Sequence, residues 1–429
     1  MTRAASPALR RPSVGPLDYA GGSAVLEELR AFQWKGRATT RAVTSVGLAK
    51  RRPIVVETFV NEFWTSKQRA AHSLHEVSYR ACFKPQLPRF FIDRFTAPGD
   101  VVYDPFMGRG TTVIEAALAG RTPAGCDINP LSAMLAQPRL SPPTADEVEQ
   151  RLATLDLSFG VSYPRELEVF YHSDTLREIC ALREYLLARD RNGSLDGIDR
   201  WIRMVAVNRL TGHSPGFFSV YTLPPNQATS VDAQAKINAR RKQVPPRRDV
   251  RALILGKTRS LLTDCDAATR AILLRSANRA SLLTRPARST PQLKANSVSL
   301  VVTSPPFLDV VNYAGDNWLR GWFCGIDTSA VEISMHRKVA DWQTAMTSVF
   351  RELARVLRPG GHVAFEVGEV RGGKVKLEEA VLPCGVASGL EPLLVVINAQ
   401  QFTKTANCWG VRNNSKGTNT NRIVVFRKA

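Results

Sequence analysis

The chain has 429 residues, 44% of them hydrophobic, and carries 58 Lys or Arg against 38 Asp or Glu, a net charge of +20. That length and apolar content can bury one large core or two smaller ones, and the cationic excess points to a polyanionic partner, nucleic acid before an anionic membrane. No apolar run reaches the length of a transmembrane helix and no secretory h-region is present, so a soluble cytoplasmic protein, nucleoid-associated through its partner, is expected with no membrane contact.

The first fifty residues are rich in Ala, Arg, Gly and Pro and read as a basic, partly disordered N-terminal arm, with a short helix suggested only over Leu26 to Trp34. From residue 51 the composition becomes denser. His72 and His75 stand three apart, a metal-compatible spacing on a helix, but no third ligand accompanies them in an arranged pattern, so ordinary histidines are expected. The seven cysteines are scattered without any CxxC spacing, which supports neither a disulfide framework nor a zinc site.

An amphipathic run, Arg89 to Phe95, leads through the turn Ala97-Pro98-Gly99-Asp100 into Val101-Val102-Tyr103-Asp104-Pro105-Phe106-Met107-Gly108-Arg109-Gly110-Thr111-Thr112. This reads as strand, tight glycine loop and helix start, and a second strand from Thr122 to Cys126 ends on Asp127-Ile128-Asn129-Pro130, one βαβ unit later. The loop is G-x-G without the longer glycine pattern that a pyrophosphate requires. It suits a cationic, phosphate-free nucleoside such as S-adenosylmethionine. Asp104, Pro105, Phe106, Gly108, Gly110, Thr111 and Thr112 would hold the methionine end, and Asp127 with Asn129 the ribose side.

Beyond Pro143 the pattern turns mainly helical, as at Asp174 to Arg189 and Arg200 to Leu210. Leu223-Pro224-Pro225-Asn226 reads as a connector. From Val231 to Thr290 there are 14 Lys or Arg against four acids, a net of +10, so half the excess charge lies in one seventh of the length. Arg240, Arg241, Lys242, Arg247, Arg248 and Arg251 are its candidate nucleic-acid contacts.

After a possible short strand at Leu282 to Thr284, the apolar run Val298 to Val302 stops on Thr303-Ser304-Pro305-Pro306-Phe307. Two successive prolines lack N–H groups, so a strand end delivers a rigid platform of acceptors. The Ser304 oxygen and the Pro305 carbonyl could each accept one hydrogen of an exocyclic amine and turn its lone pair toward an electrophile, with Pro306 stiffening the loop and Phe307 stacking on the base. An amphipathic helix from Asp341 to Leu357, a strand from His362 to Val367, and a closing hairpin between Gln401 and Arg427 complete the chain.

Taken together, D-P-F-M-G-R-G-T-T at Asp104 to Thr112, D-I-N-P at Asp127 to Pro130 and T-S-P-P-F at Thr303 to Phe307 resemble the DNA amino-methyltransferases, with L-R-P-G-G at Leu357 to Gly361 fitting the same picture. The resemblance implies an α/β fold, a seven-stranded Rossmann-like methyltransferase sheet, with S-adenosylmethionine as cofactor and duplex DNA as partner. It divides the chain into a cofactor half (51–140), a mainly helical basic insert that is the candidate target-recognition region (141–290), and a catalytic half (291–429). Serine at the head of the second motif is typical of cytosine-N4 enzymes and aspartate of adenine-N6 enzymes, so Ser304 implies cytosine N4, with adenine N6, an RNA substrate and a non-catalytic binder as alternatives. A cognate restriction endonuclease is a further implied partner. No acidic residue marks the end of the third strand, which leaves the adenine side of the cofactor pocket unassigned.

Overall fold

The computed structural model describes residues 22–48, 51–64, 71–80, 82–158, 162–223, 228–306, 313–333, 336–370, 375–399 and 420–429. Nine strands form the main sheet: β1 Thr40–Leu48, β2 Arg51–Asn61, β3 Val101–Asp104, β4 Thr122–Asp127, β5 Ser281–Thr284, β6 Val298–Thr303, β7 Leu357–Val367, β8 Leu390–Ala399 and β9 Thr420–Lys428. Their order is β1-β2-β8-β9-β7-β6-β3-β4-β5. Strands β3 to β7 are parallel to their neighbours among themselves, and β9 runs antiparallel to both β7 and β8.

Strands β3 to β9 make the expected seven-stranded methyltransferase sheet, and the β1–β2 hairpin adds two more at one edge, with β2 parallel to β8. The composition of the first fifty residues hid this hairpin. One face carries Arg41, Val43, Val55 and Glu57, with Val43 and Val55 exposed and Phe59 buried further along it, while Ile54, Val56 and Thr58 are buried on the other. A helix, Gly22–Ala31, also lies within the stretch read as an arm, and buries Val25 and Leu29. At the other end, β5 falls inside the stretch read as insert. The last strand pairs with β8, upstream of where the hairpin partner was expected, and residues 400–419 lie outside the described residues.

Side chains alternate across the central strands, as a sheet covered on both faces requires. Tyr103 and Val301 face helices Val339–Val356 and Leu377–Val386, whereas Val102, Leu300 and Val302 face helix Gln86–Phe95. The helical region between β4 and β5 closes around Phe170, Tyr171, Trp201 and Ile202, in one core with helices Thr111–Leu118 and Pro130–Leu140. Among the described residues no helix is long and apolar enough to cross a membrane.

The chain steps from β3 through β4 to β5 in one direction, then from β6 to β7 in the other. The reversal between β3 and β6 opens a crevice at their carboxyl ends, where such sheets bind ligands. Asp104 ends β3 and Thr303 ends β6.

Candidate active site

The two motifs meet in this crevice. The Thr303 hydroxyl donates to Asp104 Oδ1 at 2.6 Å, joining residues 199 apart in sequence. A cavity of about 560 Å³ opens beside them, with Asp104, Phe106, Gly108, Asp127, Ser304 and Pro306 among its walls. This size lies within the usual range for small-molecule sites.

The loop after β3 is held by backbone and carboxylate together. Asp104 Oδ1 also accepts from the Phe106 amide at 3.0 Å, and burial pushes the Asp104 carboxyl up to about 7 against the pull of its Thr303 and Phe106 bonds. Asp127 Oδ2 accepts from the Gly108 amide at 2.9 Å, and its Oδ1 from the Asn129 amide at 2.9 Å; burial raises this carboxyl too. Asn129 caps the following helix by accepting from the Leu131 amide and donates to the Tyr79 hydroxyl at 3.3 Å. Gly108 (φ +48°) and Gly110 (φ +77°) take the left-handed turn that reverses the chain, and a Cβ on Gly110 would come within 2.7 Å of Ala136 Cβ.

Pro105, Thr111 and Asn129 also face the cavity, but Gly110 and Thr112 do not line it. Thr112 is fully buried and its hydroxyl donates to the Val302 carbonyl at 3.0 Å, tying the helix to β6. Its position is inside the scaffold, next to the site.

On the target side, Ser304 and Pro306 line the cavity while Pro305 is buried between them. Beside Ser304, Glu366 is buried on β7 and accepts from Asn421 Nδ2 at 3.1 Å. Burial raises its carboxyl, and the neighbouring Ser304 hydroxyl and Asn421 amide oppose that rise. The Pro306 carbonyl accepts from the Trp342 indole N–H at 3.0 Å. Phe307 lies outside the described residues.

Several walls had no motif to announce them. Tyr79, Arg80, Cys82 and Phe83 form one side, and they are pinned there by Arg109, the variable residue of the G-x-G loop. Its buried guanidinium donates to the Val77 carbonyl at 2.9 Å and the Phe83 carbonyl at 3.4 Å. Arg139, fully buried beneath, donates to the Leu74 carbonyl at 3.1 Å and to the Arg109 carbonyl. The side left unassigned for want of an acid after the third strand is lined instead by Ile128, Pro286, Ala287 and Arg288. The Arg285 amide, bonded to the Asp127 carbonyl at 2.9 Å, brings that segment alongside β4. His75 is buried with its Nε2 2.7 Å from Glu115, and His72 Nδ1 accepts from the Leu74 amide; among the described residues there is no group of three or more His, Cys, Asp or Glu that could hold a metal.

The basic candidates divide. Arg240, Arg241 and Lys242 end the helix Val231–Arg241 with exposed side chains, and Arg241 stacks over the Tyr221 ring at 3.8 Å. Arg247 is 68% exposed and 3.8 Å from Glu178. Arg248 is partly buried, its amide bonded to Thr175. Arg251 donates to the Leu152 and Leu155 carbonyls at 3.1 and 2.6 Å, so its guanidinium is an internal tie. The stretch before the helix touches the element after the target loop: Ala228 and Thr229 bond the Asp316 carbonyl and the Trp318 indole of helix Tyr313–Cys324.

A Rossmann-like sheet whose reversal point carries this loop, two carboxylates and a Ser-Pro-Pro segment is the arrangement expected of an S-adenosylmethionine-dependent methyltransferase. Residues 48–137 match the DNA methylase family model of the N6/N4 type, the family that the motifs resemble. The chain is 32% identical over 111 residues to the type II methyltransferase M.MvaI of Kocuria varians, covering 25% of this chain and 23% of that one. It is 36% identical over 76 residues to M.MjaII of Methanocaldococcus jannaschii, covering 18% and 14%. These similarities therefore span less than a quarter of the relatives' length. Among solved structures, the rRNA methyltransferase aviRa of Streptomyces viridochromogenes superposes loosely, at a TM-score of 0.34 and 12% identity over 85% of this chain and 94% of that one.

Proposed function

We propose that this protein methylates the exocyclic N4 amine of cytosine in duplex DNA. The observation that carries the reading is the Thr303 to Asp104 hydrogen bond, which sets the cofactor loop and the amine-holding loop against one cavity. When bound, S-adenosylmethionine supplies an electrophilic methyl group to an amine nitrogen in one in-line displacement. Asp104 and the loop amides hold its cationic methionine end, and Asp127, each of whose oxygens keeps a lone pair after its amide bond, takes the ribose hydroxyls. The apolar Ile128, Pro286 and Ala287 fit a base ring.

The target cytosine leaves the stack to enter the cavity, since its N4 is otherwise within the duplex. Ser304 lines the cavity, and its hydroxyl oxygen accepts one amine hydrogen. The Trp342 N–H takes one lone pair of the Pro306 carbonyl and holds it toward helix Val339–Val356, and the Pro305 carbonyl accepts the second hydrogen. Phe307 then stacks on the base. The attacking nitrogen must finally lose a proton, and we assign its receipt to Glu366, the buried carboxylate beside Ser304 that burial keeps basic. Serine in place of aspartate supports cytosine over adenine. The exposed cations from Arg240 to Arg247, on an element bonded to the helix behind the target loop, supply the phosphate contacts, and an endonuclease cutting the same site is the companion this activity implies.

The test is methyl transfer from labelled S-adenosylmethionine to unmethylated plasmid DNA and to bulk RNA, read by nucleoside mass spectrometry. N4-methylcytosine in DNA is expected. N6-methyladenine overturns the base assignment, and label only in RNA overturns duplex DNA. No label and no thermal stabilisation by S-adenosylmethionine makes the protein a non-catalytic nucleic-acid binder.

A further inference from the structure

We infer that Trp342 is a positioning residue for the target-amine loop: its indole N–H, by holding the Pro306 carbonyl, fixes the direction in which Ser304 to Pro306 presents its acceptors. This rests on the reading of the loop given above. A Ser-Pro-Pro segment has an unusual weakness. Its prolines fix φ but contribute no N–H, so the loop cannot close hydrogen bonds through those residues, and ψ of Pro306 is free to swing the peptide plane that follows. Something outside the loop must hold it.

The structure supplies such a hold: Trp342 on helix Val339–Val356 donates to the Pro306 carbonyl at 3.0 Å, while on the other neighbour the buried Glu366 of β7 lies beside Ser304. Trp342 is 1% exposed and lines the same cavity as Ser304 and Pro306. Its ring packs in one apolar cluster with Val301 of β6 and Phe365 and Val367 of β7, the two strands that carry Ser304 and Glu366. An indole N–H donates only, and a buried one requires a partner, so the bond has one polarity and both groups need it. The consequence is directional: with the Pro306 carbonyl held toward Trp342, the amine meets the Ser304 oxygen and the Pro305 carbonyl.

A tryptophan that served only as core would tolerate loss of its N–H. Trp342→Phe keeps most of the ring and removes the donor; Trp342→His, smaller but able to donate, is the second variant. Three readouts separate the roles. Hydrogen exchange of a peptide spanning Thr303 to Phe307 should quicken in Trp342→Phe without change elsewhere, and needs no enzymatic activity. Single-turnover methyl transfer should fall about 10- to 100-fold, while the dissociation constant for S-adenosylmethionine stays within about twofold, as expected for an effect confined to the reacting geometry. Trp342→His should recover part of both. Wild-type transfer by Trp342→Phe overturns the inference, and so does a loss of transfer that tracks cofactor affinity and melting temperature in both variants. If the wild-type protein methylates no nucleic acid, the methyltransferase reading fails, and the exchange measurement still decides whether Trp342 holds the loop.

Discussion

The cofactor wall of the cavity and the basic helical region differ in what occupies their polar groups. On the cofactor wall, Asp104, Asp127, Asn129, Arg109 and Arg139 are each engaged by the protein's own amides, carbonyls or hydroxyls, and those bonds cross between strand ends, loop and neighbouring segment. In the basic region Arg240, Arg241, Lys242 and Arg247 point to solvent, with one aromatic stack and one long ion pair among them. The first arrangement is preorganised and suits one small ligand of fixed shape. The second leaves charge available and unfixed, which suits a phosphate backbone recognised electrostatically. Substitutions in the two regions should therefore fail in different ways.

The largest effect is expected at the boundary where the cofactor wall meets the target loop. Ser304→Ala should lower kcat by about 100-fold or more and leave S-adenosylmethionine affinity, measured by calorimetry, unchanged. Equal loss of both would mean that the two walls are one unit and that the division of roles is wrong. Asp104→Ala should do the reverse, weakening S-adenosylmethionine by about 10- to 100-fold, the worth of a charge-assisted hydrogen bond. An unchanged dissociation constant would remove Asp104 from the cofactor site.

The same contrast explains what could be read from sequence. Asp104, Gly108, Asp127 and Ser304 were legible because chemistry demands those residue types at the ends of short apolar runs, where a strand must deliver them. The seven-stranded sheet was legible for a related reason, since Val102 and Tyr103 and the residues from Val298 to Val302 are buried on both faces and read as mainly apolar runs. The β1–β2 hairpin was not, because it lies at the sheet's edge and exposes one charged face. Glu366, Trp342 and the wall of Tyr79, Arg80, Cys82 and Phe83 were invisible because they reach the site through tertiary contacts from outside both motifs, and no local pattern marks them. A count of charges likewise could not tell Arg251, spent on two carbonyls, from Arg240, which is exposed.

That last distinction is itself testable. Replacing Arg240, Arg241 and Lys242 together by Ala should weaken DNA binding about 10-fold at physiological salt and flatten the dependence of log K on log salt by about three, if each meets one phosphate. Cofactor affinity should not move. Arg251→Ala should instead lower the melting temperature and leave the salt slope alone. A salt slope that changes only with Arg251→Ala would invert the assignment.

The smallest effect concerns protons. Burial holds the ligand-free Asp104 carboxyl at about 7, so it is largely neutral at pH 6 and largely ionised at pH 8. Only the ionised form balances the ammonium of a methionine end, so binding below pH 7 must expel a proton. Affinity for S-adenosylmethionine should therefore rise about 10-fold per unit as pH climbs toward 7 and level off above it, until the ligand's own amine deprotonates near pH 8, roughly the α-amino range. Calorimetry at pH 6 in two buffers of different ionisation enthalpy should register close to one proton released. Asp104→Asn should abolish both the rise and the release. If the variant keeps the pH dependence, the titrating group is another carboxylate of the same wall, and Asp127, also raised by burial, is the next to substitute.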